Sequence, residues 1–196
     1  MSADAVGRAM PATITLDDLA EMNSADPHGH RYETSPDGLL FVVPPPDTGH
    51  AVIASRLMAW FLSAGWPPDL VVQVAGVRIS GPDGDGGRIP DLVIWSGPQP
   101  SEVVWSSVRD VRLVIEIISR GSATVDQGAK VTEYAAAGIP HYWTVARDAA
   151  QTVTLYRLGA TGAYDVAAKM PLAWLLRTAP AEQGMDGPLD GSHPPE

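Results

Sequence analysis

The sequence predicts an α/β fold with a mixed central β-sheet flanked by helices, and three features point to it. Val- and Ile-rich runs at residues 70–79, 88–95 and 111–118 read as strands, and residues 140–146 and 152–158 read as a further strand pair. Residues 49–64 and 124–137 carry helical spacing or capping signals between those runs. Finally, Val111-Arg112-Leu113-Val114-Ile115-Glu116-Ile117-Ile118 is apolar on both strand faces over most of its length, as befits a central strand covered on both sides.

Taken in order, Thr15-Leu16-Asp17-Asp18 offers a capping hydroxyl and acids for the first turn of a short helix reaching Met22. Tyr32 to Val43 reads as a hairpin turning at Pro36-Asp37-Gly38, and Pro44-Pro45-Pro46 stops it. In the following helix Ile53, Leu57, Phe61 and Ala64 recur on one face, until Gly65 and Pro67-Pro68 end it. Three strands come next, the first two joined by Gly81 to Gly87. That Gly-Asp loop lacks the later acids of a calcium loop and the Lys of a phosphate loop, so it reads as a hairpin turn. Thr124-Val125-Asp126-Gln127 fits a capping box for a helix running to Ala137, with Gly138 as its stop. Two strands joined at Arg147-Asp148-Ala149-Ala150 complete the core. Residues 1–177 are expected to form a single domain with a short N-terminal helix, and residues 178–196, rich in Gly, Pro and acids, a disordered tail.

The chain has 196 residues, 45% of them hydrophobic and none cysteine, which excludes a wholly disordered chain, a disulfide framework and thiolate chemistry. No apolar stretch approaches the ~18 residues of a membrane span and the N-terminus lacks a signal-peptide run, so a cytoplasmic protein with no membrane partner is expected. The net charge of −10 argues at first against a polyanionic partner. Five acids against Arg8 in residues 1–27 and four acids with no base in 178–196 leave only −2 for residues 28–177, so the acidity sits mainly at the ends.

Two carboxylates interrupt this apolar pattern. Glu116 lies within the central strand, and Asp91 heads Leu92-Val93-Ile94-Trp95 directly after Pro90. An ionised carboxylate buried there costs several kcal/mol or more unless it is paired, protonated or metal-bound. Carboxylates converging at a sheet end suit Mg²⁺ or Mn²⁺ rather than zinc. On the helix after Glu116, Asp126, Lys130 and Tyr134 stand four residues apart on nearly one face, and Lys130 is one of two lysines in the chain. Plainer readings stand beside these: an Asp126–Lys130 ion pair, Asp91 as a turn residue, and Glu116 paired with Arg112 or Arg88.

Pro90-Asp91-Leu92-Val93-Ile94, Leu113 to Ser119, and Asp126, Lys130 and Tyr134 leading into Ala135-Ala136-Ala137-Gly138-Ile139-Pro140-His141-Tyr142-Trp143 together resemble the Uma-two family, a branch of the PD-(D/E)XK nuclease superfamily. Tyr32-Glu33, Asp37-Gly38 and the prolines before His50 fit its N-terminal half, so the resemblance covers about residues 12–177. It implies a restriction-endonuclease-like core and Mg²⁺-dependent hydrolysis of DNA phosphodiester bonds, with Mn²⁺ as a substitute ion. Asp91 and Glu116 would be metal ligands, joined by the backbone carbonyl of Ile117 and by Glu33, and Lys130 the catalytic lysine. The superfamily's usual lysine position, two residues after the Glu, is Ile118 here, and Arg120-Gly121 replaces the more usual Pro-Ser. Cutting both strands of a duplex with one site per chain favours a homodimer. Two alternatives follow from Ile118 and from the acids themselves: a catalytically inactive nuclease-fold module binding nucleic acid or protein partners, and a structural polar network.

Overall fold

The structure is a computed structural model that describes residues 13–81, 84–118 and 126–187. Helix α1 (Leu16–Ala25) precedes the hairpin β1 (Arg31–Thr34) and β2 (Leu40–Val43), and α2 (Thr48–Ser63) follows the proline run. Strands β3 (Val71–Gln73), β4 (Gly76–Gly81), β5 (Gly84–Arg88), β6 (Leu92–Trp95), β7 (Trp105–Ser107) and β8 (Val111–Ile117) lead to α3 (Asp126–Ala136). Strands β9 (His141–Val145), β10 (Thr152–Leu158) and β11 (Tyr164–Pro171) and the short α4 (Leu172–Leu175) complete the chain before a 3₁₀ turn at Pro180–Gln183.

The central mixed sheet has six strands in the order β11-β10-β9-β8-β6-β3, with β8 and β9 parallel and the other pairs antiparallel. Residues alternate across a strand, so β8 sends Leu113, Ile115 and Ile117 into a core shared with Ile53, Leu57 and Phe61 of α2, while Val114 joins Tyr134 of α3 and Tyr142 of β9 on the other side. Both faces of β8 are thus covered, as its composition requires, and Glu116 shares the face of Val114. Asp47 caps α2 by accepting from His50 N at 3.0 Å, and Thr15 and Asp18 form a reciprocal capping box on α1.

A second sheet, in the order β2-β1-β5-β4-β7, was not expected. The anticipated strands 70–79 and 88–95 each divide between the two sheets. The first crosses over at Val74, whose φ is 56°, and the second at Ile89-Pro90-Asp91. The glycines read as a loop lie largely within β5. A Cβ at Gly86 would meet the backbone of Thr34 and Ser35 at 2.7 Å, and one at Gly87 would meet Leu19 and Trp105 at 2.7 and 2.8 Å, so close packing rather than turning selects glycine. The hairpin between β4 and β5 stands, and Asp85 is held by Arg78 and Ser80. Its turn at Pro82-Asp83, the start of the capping box at Thr124 and the Asp126 side chain lie outside the described residues.

The C-terminal boundary also moves. Residues expected to be a tail from Thr178 are packed as far as Met185, which is fully buried in the core beside Leu172 and Leu175. Trp60 Nε1 donates to the Thr178 carbonyl at 2.7 Å. One buried methionine just past a 3₁₀ turn has no hydrophobic period to betray it. Met185→Ala is therefore expected to destabilise the fold by about 2–5 kcal/mol, read as a lower urea midpoint; an unchanged midpoint would return these residues to the tail.

Candidate active site

The chain passes from the second sheet to the central one at Pro90, a residue without an N–H for either ladder, and the site lies at that crossing. Leu92 pairs with Ile115, so extending the register by one step sets Asp91 opposite Glu116. Asp91 Oδ2 accepts from Ile117 N at 2.8 Å. Its Oδ1 is shared by the Arg31 guanidinium at 3.2 Å and His50 Nε2 at 3.0 Å. Arg31 and Glu33 stand two apart on β1, which places both on one strand face, and His50 sits in the first turn of α2.

Glu116 Oε1 accepts from Lys130 Nζ at 2.9 Å and from the Tyr134 hydroxyl at 2.9 Å. Lys130 also lies 3.2 Å from Glu33 Oε2. The four-residue spacing of Lys130 and Tyr134 on α3 thus delivers both groups to one carboxylate oxygen. Glu33 is further held by Ile89 N at 3.2 Å and Arg88 at 3.3 Å, and Arg88 grips Glu133 through two bonds of 2.8 and 2.7 Å. Arg88 is 1% exposed, which makes this a buried charge network spanning β1, β5 and α3.

These contacts set the charges. Burial opposes ionisation of Asp91, but the bonds from His50 and Ile117 N and the charge of Arg31 outweigh it and hold the carboxyl below its usual range. Glu116 is pushed up by burial, aided by Asp91 and Glu33, against the pull of Lys130. For Lys130 burial works against the ammonium, yet Glu116 and Glu33 prevail and keep it protonated above its usual range.

All five sequence-designated residues, Glu33, Asp91, Glu116, Ile117 and Lys130, line one cavity of about 260 Å³, and Ile118 lines it too. Val42 to Pro46 and Arg147 form its mouth, where Arg147 pairs with Asp47 at 2.7 Å. Glu116 does not pair with Arg112 or Arg88: Arg112 lies over the Trp66 ring and donates to Gly187 O at 3.4 Å. Sequence reasoning missed Arg31, Glu133 and Arg147, and gave Arg88 only as an alternative partner of Glu116. The two-residue spacing of Arg31 and Glu33 was the one available signal, whereas the other three reach their partners only through tertiary packing. His50 lies against Asp91 at the site. His28 and His30 occupy a turn whose backbone amides bond Asp26, and Trp60, Trp66, Trp95 and Trp143 are core residues.

Hard oxygen donors fit a divalent cation better than a soft metal. Glu33, Asp91 and Glu116 supply such donors at one cavity, with Arg31, His50 and Lys130 now beside them. Among the described residues no three His, Asp or Glu side chains are already grouped as a metal cage.

The chain belongs to the Uma2 family, described as "Putative restriction endonuclease", whose sequence model matches residues 16–186. A solved structure described as a putative nuclease belonging to DUF820 from Anabaena variabilis ATCC 29413 is similar at 19% identity with a TM-score of 0.54, covering 76% of this chain and 82% of that one. No curated protein matches the sequence. Among the described residues no helix is long and apolar enough to cross a membrane.

Proposed function

We propose that the chain is a Mg²⁺-dependent endonuclease that hydrolyses phosphodiester bonds in DNA. The observation that carries this reading is the meeting of Lys130 with Glu116 at 2.9 Å: a lysine from α3 stands beside the strand carboxylate although Ile118 occupies the usual lysine position. In this reading Asp91 and Glu116 hold the ion, with the Ile117 carbonyl and Glu33 completing its surroundings. The ion supplies Lewis acidity and an activated water. Lys130 is kept charged by two carboxylates, which suits it to stabilise negative charge developing on the phosphate rather than to take a proton. Tyr134 fixes the orientation of Glu116 from one side, and Arg31 and His50 hold Asp91 in place. A two-fold homodimer would present one site to each strand.

The test is incubation of supercoiled and linear DNA with Mg²⁺, Mn²⁺ or EDTA. Cleavage with either ion, none in EDTA, and none by Asp91→Ala or Glu116→Ala is the expected result. Equal cleavage by all preparations would mark a contaminant and reject the assignment. A second reading, an inactive module built around a polar network, is favoured by the occupation of Asp91 Oδ1 by both Arg31 and His50. Thermal unfolding separates the two. Mn²⁺ raises the Tm of a metal site and Glu116→Ala abolishes the rise, whereas a network shows no rise in either protein.

A further inference from the structure

Two buried polar side-chain atoms lack a hydrogen-bond partner among the described residues: the Tyr142 hydroxyl and Arg31 Nε. Both residues line the cavity that Asp91, Glu116 and Lys130 share. Unpaired buried donors are rare because each forfeits its solvation without return. Here two of them belong to residues that line one cavity.

Aromatic rings surround Tyr142. On β9 it pairs with Val114 of β8 and Tyr156 of β10, and its ring lies 5.3 Å from Tyr134 and 5.7 Å from both Tyr156 and Tyr164. Neither neighbouring hydroxyl is bonded to it: Tyr134 donates to Glu116 and Tyr164 to Ile139 O at 2.8 Å. Burial, then the nearby Glu116, Tyr156, Tyr164 and Asp91, pushes ionisation of Tyr142 far up, so the phenol keeps its proton. Arg Nε–H can only donate. Both atoms therefore call for an acceptor, which a cation is not and a phosphate oxygen is.

We propose that Tyr142 is a substrate-binding residue whose hydroxyl, together with Arg31 Nε–H, donates to the oxygens of a nucleic-acid phosphate held in the cavity. This assignment rests on the nuclease reading and adds to it a phosphate contact independent of the metal. Arg31 then serves two partners, with its terminal nitrogens on Asp91 and its Nε on the substrate.

Tyr142→Phe keeps the ring and its stacking and removes only the hydroxyl. Binding of a short fluorescein-labelled DNA, followed by anisotropy in EDTA so that no cleavage intervenes, is expected to weaken about tenfold or more. The Tm of the free variant should equal or exceed that of the wild type, because no made bond is lost. Tyr164→Phe supplies the contrast: it loses a made bond to Ile139 O, so its Tm falls while its DNA affinity holds. Wild-type affinity in Tyr142→Phe overturns the proposal, as does a fall in its Tm like that of Tyr164→Phe, which would give the hydroxyl a structural partner. If the wild type neither binds nor cuts DNA, the nuclease reading fails as well; if it does both and Tyr142→Phe matches it, only this inference fails.

Discussion

Lys130→Met will lower the rate of DNA cleavage about 100- to 1,000-fold while leaving the Mn²⁺-induced rise in Tm intact. The rate loss is the size expected when one preorganised charge is withdrawn from the position where negative charge develops. The metal response survives because Lys130 is a cation beside Glu116 and Glu33 and competes with an ion for those carboxylates. Removing it should if anything strengthen Mn²⁺ binding, seen as a lower half-saturating concentration in the thermal-shift titration. Glu116→Gln gives the contrasting pattern and loses both the rate and the Mn²⁺ response. Were Lys130 instead the general base, its neutral form would be required, and wild-type cleavage would climb with pH toward the raised pKa of the ammonium. A rate that levels off well below that range supports the electrostatic role. Wild-type rates in Lys130→Met would remove the lysine from the mechanism.

Asp91, Glu116 and Lys130 were legible in the sequence because each breaks a local rule. One is an acid within an apolar strand, the second an acid heading another, and the third a rare lysine spaced four residues from a tyrosine on a helix that returns to the strand end. The central sheet was legible for the same physical reason: a strand buried on both faces has to be apolar throughout, as β8 is. The second sheet was hidden because β5 is built from Gly84-Asp85-Gly86-Gly87-Arg88, residues with poor strand propensity that are selected by close approach to Ser35, Leu19 and Trp105. Strand β11 escaped because its side chains are exposed or only partly buried and lack the alternation that marks a one-sided strand. Arg88 stood in the sequence only as an alternative partner for Glu116. Its burial follows from the change of sheet two residues later at Pro90, a tertiary event with no local signature beyond the proline. The acidic ends misled in a different way, since net charge says nothing about the packing of a lone Met185.

Arg88→Met should destabilise the protein by about 3–5 kcal/mol, the cost of breaking a buried ion pair from one side. Methionine fills much of the same volume, so the loss reads the charge rather than a cavity. The guanidinium lies 4.4 Å from the centre of the Phe41 ring and bonds both Glu33 and Glu133, at 1% exposure. Without it Glu133 keeps no partner of comparable strength among the described residues, whereas Glu33 still has Lys130 and Ile89 N. Neutralising the stranded acid should therefore recover stability: Arg88→Met/Glu133→Gln is expected to unfold at a higher urea midpoint than Arg88→Met alone. Arg88→Lys should rescue little, because one ammonium cannot reproduce the two-pronged grip on Glu133 while reaching Glu33. Glu133 lies three residues after Lys130 on α3, so the same arginine that joins the second sheet to this helix also sets where the lysine stands. Cleavage by Arg88→Met should fall even at temperatures where the variant remains folded. Equal urea midpoints for wild type and Arg88→Met would show that the two sheets hold α3 without this charge, and the second sheet would then serve the site only through Arg31 and Glu33.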